Sequence, residues 1–199
     1  QNVVDQMWVI GPIASFKVWE DEYEKLFDKL KKTNVLRYHG TQIQRDSLRN
    51  KINKRDLIIT SYGTAGNDLE LIKRQWRING KKIFLVLDES HHIKSIEQFT
   101  KNGNDSISEM MINLGKFAER RCILTGTPIP HDLDDLWSQI TFLWPNIKPL
   151  GKREDFLEWY ADFDAEDTIK EIIDFMWTRV TNKELESEKN TNVHDADTL

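Results

Sequence analysis

The chain has 199 residues, 39% of them hydrophobic and 31% charged, with 28 basic against 33 acidic side chains and a net charge of −5. That length and mix supply one core under a solvated surface, which excludes global disorder, and the acidic balance argues against a wholly basic nucleic-acid coat protein. The single cysteine, Cys122, excludes an internal disulfide and a cysteine zinc cluster and suits a reducing, intracellular compartment; no run approaches the roughly 18 apolar residues of a membrane span, and QNVVDQMW does not read as a secretion signal.

Short apolar runs at 7–10, 57–60, 83–87 and 121–124 read as strands covered on both faces, because they carry continuous rather than alternating hydrophobicity. Residues 35–38 fit a fifth. Between them, 18–30, 68–78 and 107–117 carry apolar residues at helical spacing, and strands separated by such connections imply βαβ crossovers. The expected class is therefore α/β: a three-layer, open, mainly parallel sheet with helices on both faces. After 124 only helices follow, at 133–142, 153–160 and 169–177, as a C-terminal appendage. The expected organisation is one α/β lobe over 1–145, a helical extension over 146–181, and a polar, acidic and disordered tail over 182–199.

Two basic runs, Arg45, Arg49, Lys51, Lys54 and Arg55, then Lys73, Arg74, Arg77, Lys81 and Lys82, read first as solvated faces and second as polyanion contacts. The seven tryptophans read as core.

In open parallel sheets ligands bind beyond the carboxyl ends of the strands. There this sequence places Gly11-Pro12-Ile13-Ala14-Ser15, Ser61-Tyr62-Gly63-Thr64, Asp88-Glu89-Ser90-His91 and Thr125-Gly126-Thr127-Pro128. Adjacent acids at a strand end can divide labour, Asp88 on a hydrated Mg²⁺ and Glu89 on an attacking water, as phosphoryl transfer needs placement and charge neutralisation rather than a covalent nucleophile. They can equally cap the next helix. Thr125 and Thr127 can sense a phosphate or make a polar turn, and His91 and His92 can hydrogen-bond or ligate a metal.

Taken in order, these blocks resemble the first RecA-like lobe of the Snf2 family of superfamily 2 helicase-like ATPases. MWVIGPIASFKVWEDEYEKLF is similar to the family's motif Ia, DLIITSYGT to motif Ib, LVLDESHHIKS to the DEAH-type motif II, and LTGTPIPHDLDDLWSQITFLWP to motif III; FMWTRVTNKEL, around Arg179, is a weaker match to the segment leading to the second lobe. The resemblance implies an ATP-driven translocase on double-stranded DNA, with ATP and Mg²⁺ as cofactors. By the same resemblance Asp88 would bind Mg²⁺, Glu89 would position the water, and His91, Thr125, Gly126 and Thr127 would couple the nucleotide to lobe movement. Pro12, Ser15, Thr60 and Tyr62 would fall against the DNA backbone.

The sequence departs from the family pattern in holding no G-x-x-x-x-G-K-[ST] phosphate loop, in His131 where many relatives have Asn, and in Ser90 where they have Ala or Gly. The expectation is a lobe whose phosphate-loop segment and second lobe lie outside these residues, inactive alone. Two alternatives are a non-catalytic lobe that holds DNA or a protein, and a metal-dependent phosphodiesterase using Asp88, Glu89, His91 and His92.

Overall fold

The computed structural model describes residues 3–26, 34–90, 93, 106–126 and 133–163. In chain order the elements are β1 (Gln6–Ile10), a 3₁₀ turn (Ile13–Ser15), α1 (Phe16–Leu26), β2 (Val35–Arg37), α2 (Gln42–Ile52), β3 (Leu57–Thr60), α3 (Tyr62–Asn67), α4 (Leu69–Asn79), β4 (Ile83–Asp88), α5 (Ile107–Gly115), β5 (Arg120–Leu124), α6 (Leu133–Leu143) and α7 (Arg153–Phe163). The five strands form one sheet in the order β2-β3-β1-β4-β5, and every pairing is parallel. The expected α/β class is therefore the observed one. The expected helix over 169–177 and the tail over 182–199 lie outside the described residues.

The register explains why the strands read as unbroken apolar runs. Val9 pairs with Ile59 on one side and Val86 on the other. With Leu57 these residues bury one face of the sheet against Phe16 of α1. The alternate residues of the same strands point the other way, where Trp8 meets Trp76 of α4 edge-on at 5.4 Å and Tyr38 at 6.4 Å. Both faces of the central strands are thus covered, and every residue of β3 is buried.

Buried polar groups are paired where the chain enters the sheet. Gln6 donates through Nε2 to the carbonyls of Ile52 (2.8 Å) and Arg55 (2.7 Å) and accepts from the Trp8 indole at 2.8 Å, so the amide closes the end of α2 onto β1. Arg121 closes the other side: its guanidinium donates to the carbonyls of Gly115 (2.9 Å), Ala118 (2.6 Å) and Leu143 (2.9 Å), taking up main-chain acceptors at the ends of α5 and α6. Burial lowers the affinity of this guanidinium for its proton.

Two helices, α2 and α3, were not expected. α2 is polar, with Ile43 exposed and only Ile52 fully buried, and starts from a capping box in which Thr41 and Gln44 satisfy each other's main-chain N–H. α3 is one short stretch capped by Ser61. The chain divides into two compact units, Gln1–Leu157 and Glu158–Leu199; in the second, the described residues are the last turns of α7.

Candidate active site

The chain leaves β1 toward β2 on one side of the sheet and leaves β4 toward β5 on the other, yet β1 and β4 are neighbours. Connections that part in this way open a crevice beyond the carboxyl ends of the two strands. Asp88 ends β4 at that crevice, and Gly11 and Ser15 follow β1 into it. The approach is close. A Cβ on Gly11 would stand 2.9 Å from Asp88 Cβ and 3.2 Å from both Asp88 Oδ2 and Ser15 Oγ, so only glycine leaves room beside the carboxylate.

Two side chains from distant elements hold the acidic turn. The Trp19 indole of α1 donates to Asp88 Oδ2 at 2.9 Å, and the Tyr62 hydroxyl of α3 donates to the Asp88 main-chain carbonyl at 2.9 Å. Glu89 follows with φ 51°, a left-handed conformation that costs a non-glycine residue about 1–2 kcal/mol. Such strain persists only where the surroundings enforce it, and it gathers at functional sites. Tyr62 is almost fully buried; burial first, then the negative charges of Asp88 and Glu89, push its hydroxyl well above the usual tyrosine range, so it stays a neutral donor.

β5 lies beside β4 with Leu124 opposite Asp88, so Thr125 and Gly126 leave the sheet next to Glu89. The structure therefore brings together Asp88, Glu89, Thr125 and Gly126 on adjoining strand ends. His91 and Thr127 lie outside the described residues, as do His92 and His131.

The four residues expected against DNA separate into two pairs. Pro12 and Ser15 are partly exposed on the turn after β1, where the Ser15 hydroxyl donates to the Pro12 carbonyl at 2.9 Å. Thr60 and Tyr62 lie deeper. Thr60 has no exposed surface and gives its carbonyl to the Gly11 N–H at 3.0 Å, while the buried Tyr62 donates its hydroxyl to the Asp88 carbonyl. They brace the crevice from beneath.

Ser90 is fully buried, and among the described residues its hydroxyl finds no partner; the same holds for Thr60. Among the described residues no three His, Cys, Asp or Glu side chains gather to cage a metal ion. A single carboxylate at the end of β4 instead fits Mg²⁺, which keeps most of its waters and shares its remaining positions with phosphate oxygens.

A second cluster, not foreseen from the sequence, sits where β2 and β3 end. His39 Nδ1 lies 3.1 Å from Thr64 Oγ1 and 3.4 Å from Ser61 Oγ, with the Phe16 ring edge-on at 5.7 Å. Beside it Asp68 accepts from Tyr38 (2.6 Å) and twice from Arg45 (2.7 and 2.9 Å). Burial opposes the Asp68 charge, but those hydrogen bonds outweigh it and hold the carboxyl below its ordinary range. Arg45, which the sequence placed in a solvated basic run, is largely buried in this pair. Lys73 and Arg77 of the second run lie over the Phe117 ring.

Residues 2–194 match the model of the SNF2-related domain. Helicase SWR1 of Mycosarcoma maydis is 32% identical over 165 residues, covering 77% of this chain and 8% of that protein. Helicase ssl-1 of Caenorhabditis elegans is 32% identical over 158 residues, covering 77% and 6%, and the human lymphoid-specific helicase is 27% identical over 174 residues, covering 83% and 18%. The chain thus spans a small part of the length of each. The SWI2/SNF2 ATPase core domain of Sulfolobus solfataricus shares the fold with a TM-score of 0.56 at 23% identity, over 92% of this chain and 35% of that one.

Proposed function

This chain belongs to the SNF2-related domain family, and from that membership we propose that it forms part of the first RecA-like lobe of an intracellular motor that hydrolyses ATP to move along double-stranded DNA. The observation that carries the reading is the meeting of Asp88 and Glu89 with Thr125 and Gly126 on adjoining strand ends, at a crevice that Gly11 keeps open.

In this reading Asp88 holds Mg²⁺, which neutralises charge on the phosphates of ATP when bound. Glu89, next to it on the left-handed turn, orients the attacking water. Thr125, Gly126 and Thr127, with His91, pass the state of the nucleotide to the second lobe. Pro12 and Ser15 face the DNA backbone, a contact that reads no sequence and weakens with salt.

We assign the phosphate loop, the second lobe and its arginine to parts of the protein outside these residues. Among the described residues β5 is an edge strand, and its apolar flank is half bare: Leu124 is 40% exposed, and Cys122 on the same face is only partly covered. An interior parallel strand does not leave such residues in water, which supports a sheet that continues past β5. Residues 1–199 alone should then turn over ATP at a negligible rate.

The test is ATP hydrolysis by the intact protein with and without duplex DNA. DNA-stimulated turnover should fall about 10²- to 10⁴-fold in Glu89→Gln while nucleotide binding is kept. Hydrolysis by Glu89→Gln at the wild-type rate, or vigorous turnover by residues 1–199, would overturn the reading.

A further inference from the structure

Among the described residues three tryptophan indoles serve the fold. Trp8 donates to Gln6, Trp137 to the Gly151 carbonyl, and the buried Trp76 indole N–H finds no acceptor. Trp19 differs: its acceptor is the carboxylate of Asp88, 69 positions away. The ring is fixed from behind, because Phe16, Trp19 and Tyr23 recur at helical spacing on the face of α1 that packs on Val9, Leu57, Ile59 and Val86. Packing alone would accept phenylalanine at this place. The N–H adds a charge-assisted bond to one oxygen of a carboxylate, and among the described residues no other side chain hydrogen-bonds that carboxylate.

We propose that Trp19 is a positioning residue of the metal site, its indole N–H holding Asp88 Oδ2 so that the carboxylate meets Mg²⁺ in one orientation. The inference rests on Asp88 as the metal ligand. Partners of this kind typically change metal affinity 10- to 100-fold when removed. Trp19 touches neither metal nor nucleotide; it acts through Asp88.

The experiment measures Mn²⁺ binding by electron paramagnetic resonance in the presence of ADP, on the intact protein and on Trp19→Phe and Asp88→Ala. Trp19→Phe keeps the ring and should bind Mn²⁺ about 10- to 100-fold more weakly, with metal-free ADP affinity and metal-free melting near wild type. Asp88→Ala should lose the site. If Asp88→Ala loses Mn²⁺ while Trp19→Phe binds it as wild type does, the positioning role is wrong and the metal ligand stands. If Asp88→Ala binds Mn²⁺ normally, the metal assignment fails and takes this inference with it. Should Trp19→Phe not fold, the indole N–H resonance of Trp19 in ¹⁵N-labelled wild-type protein decides: it should shift when Mg²⁺ is added to the ADP complex, and an unmoved signal overturns the proposal.

Discussion

The phenol of Tyr62 donates to the main-chain carbonyl of Asp88 at 2.9 Å, tying the first turn of α3 to the last residue of β4. The bond reaches the backbone and not the carboxylate, so it fixes where the strand ends and the acidic turn begins. Tyr62→Phe leaves that carbonyl without its partner in a nearly dry place. The expected loss is about 1–3 kcal/mol of stability, read from urea unfolding, together with slower turnover as the Glu89 turn loosens.

Gly11→Ala should act on the same turn by crowding. Its Cβ would press on Asp88 Cβ and Oδ2, and strand atoms cannot swing aside as a side-chain terminus can. A stability loss of about 1–3 kcal/mol and at least a tenfold weaker Mg²⁺ dependence of nucleotide binding are expected. Gly66→Ala is the control. Its Cβ would meet the side-chain end of Met110, an unbranched chain that can move, so melting should shift little.

Glu89→Gly should separate stability from function. Glycine adopts a φ of 51° without the clash that Glu89 bears, so the variant should be as stable as wild type or up to about 1 kcal/mol more so. ATP turnover should vanish. Calorimetry beside an ATPase assay checks both, and a strongly destabilised variant would show that the backbone there is not strained.

The Arg45–Asp68–Tyr38 cluster gives two further outcomes. Asp68→Ala strands the buried Arg45 guanidinium and the Tyr38 hydroxyl, and breaking a buried pair in this way costs about 3–5 kcal/mol. Tyr38 itself, raised to about 12 by burial and then by Asp68, holds its proton more tightly folded than unfolded. The unfolded chain ionises first, so the contribution is intact below about pH 10 and disappears as pH rises toward 12. The urea midpoint should fall across that window, and less so in Tyr38→Phe.

Much of this was legible in the sequence, for reasons that are physical. Strands buried on both faces cannot hide: the runs at 57–60 and 83–87 became β3 and β4 with at most one residue of difference. Asp88 and Thr125 could be set on neighbouring strand ends because a parallel sheet forces its ligands to one rim. The missed α2 had left a trace in Thr41 and Gln44, a capping box three residues apart, but its few apolar residues carry no stripe. What sequence could not reveal is contact across distance. Nothing local to Trp19 points to a carboxylate 69 residues on, and a tyrosine after a strand reads alike whether it faces a ligand or, as Tyr62 does, the interior.

The half-bare flank of β5 bears on how such a polypeptide reaches its final form. Among the described residues β5 closes the sheet on one side, and its exposed Leu124 offers an apolar edge to whichever extended segment arrives first, including another copy of itself. Refolding from dilute solution should therefore yield more monomer than refolding from concentrated solution, and ribosomal order, which delivers any upstream segment beforehand, becomes a safeguard against self-association.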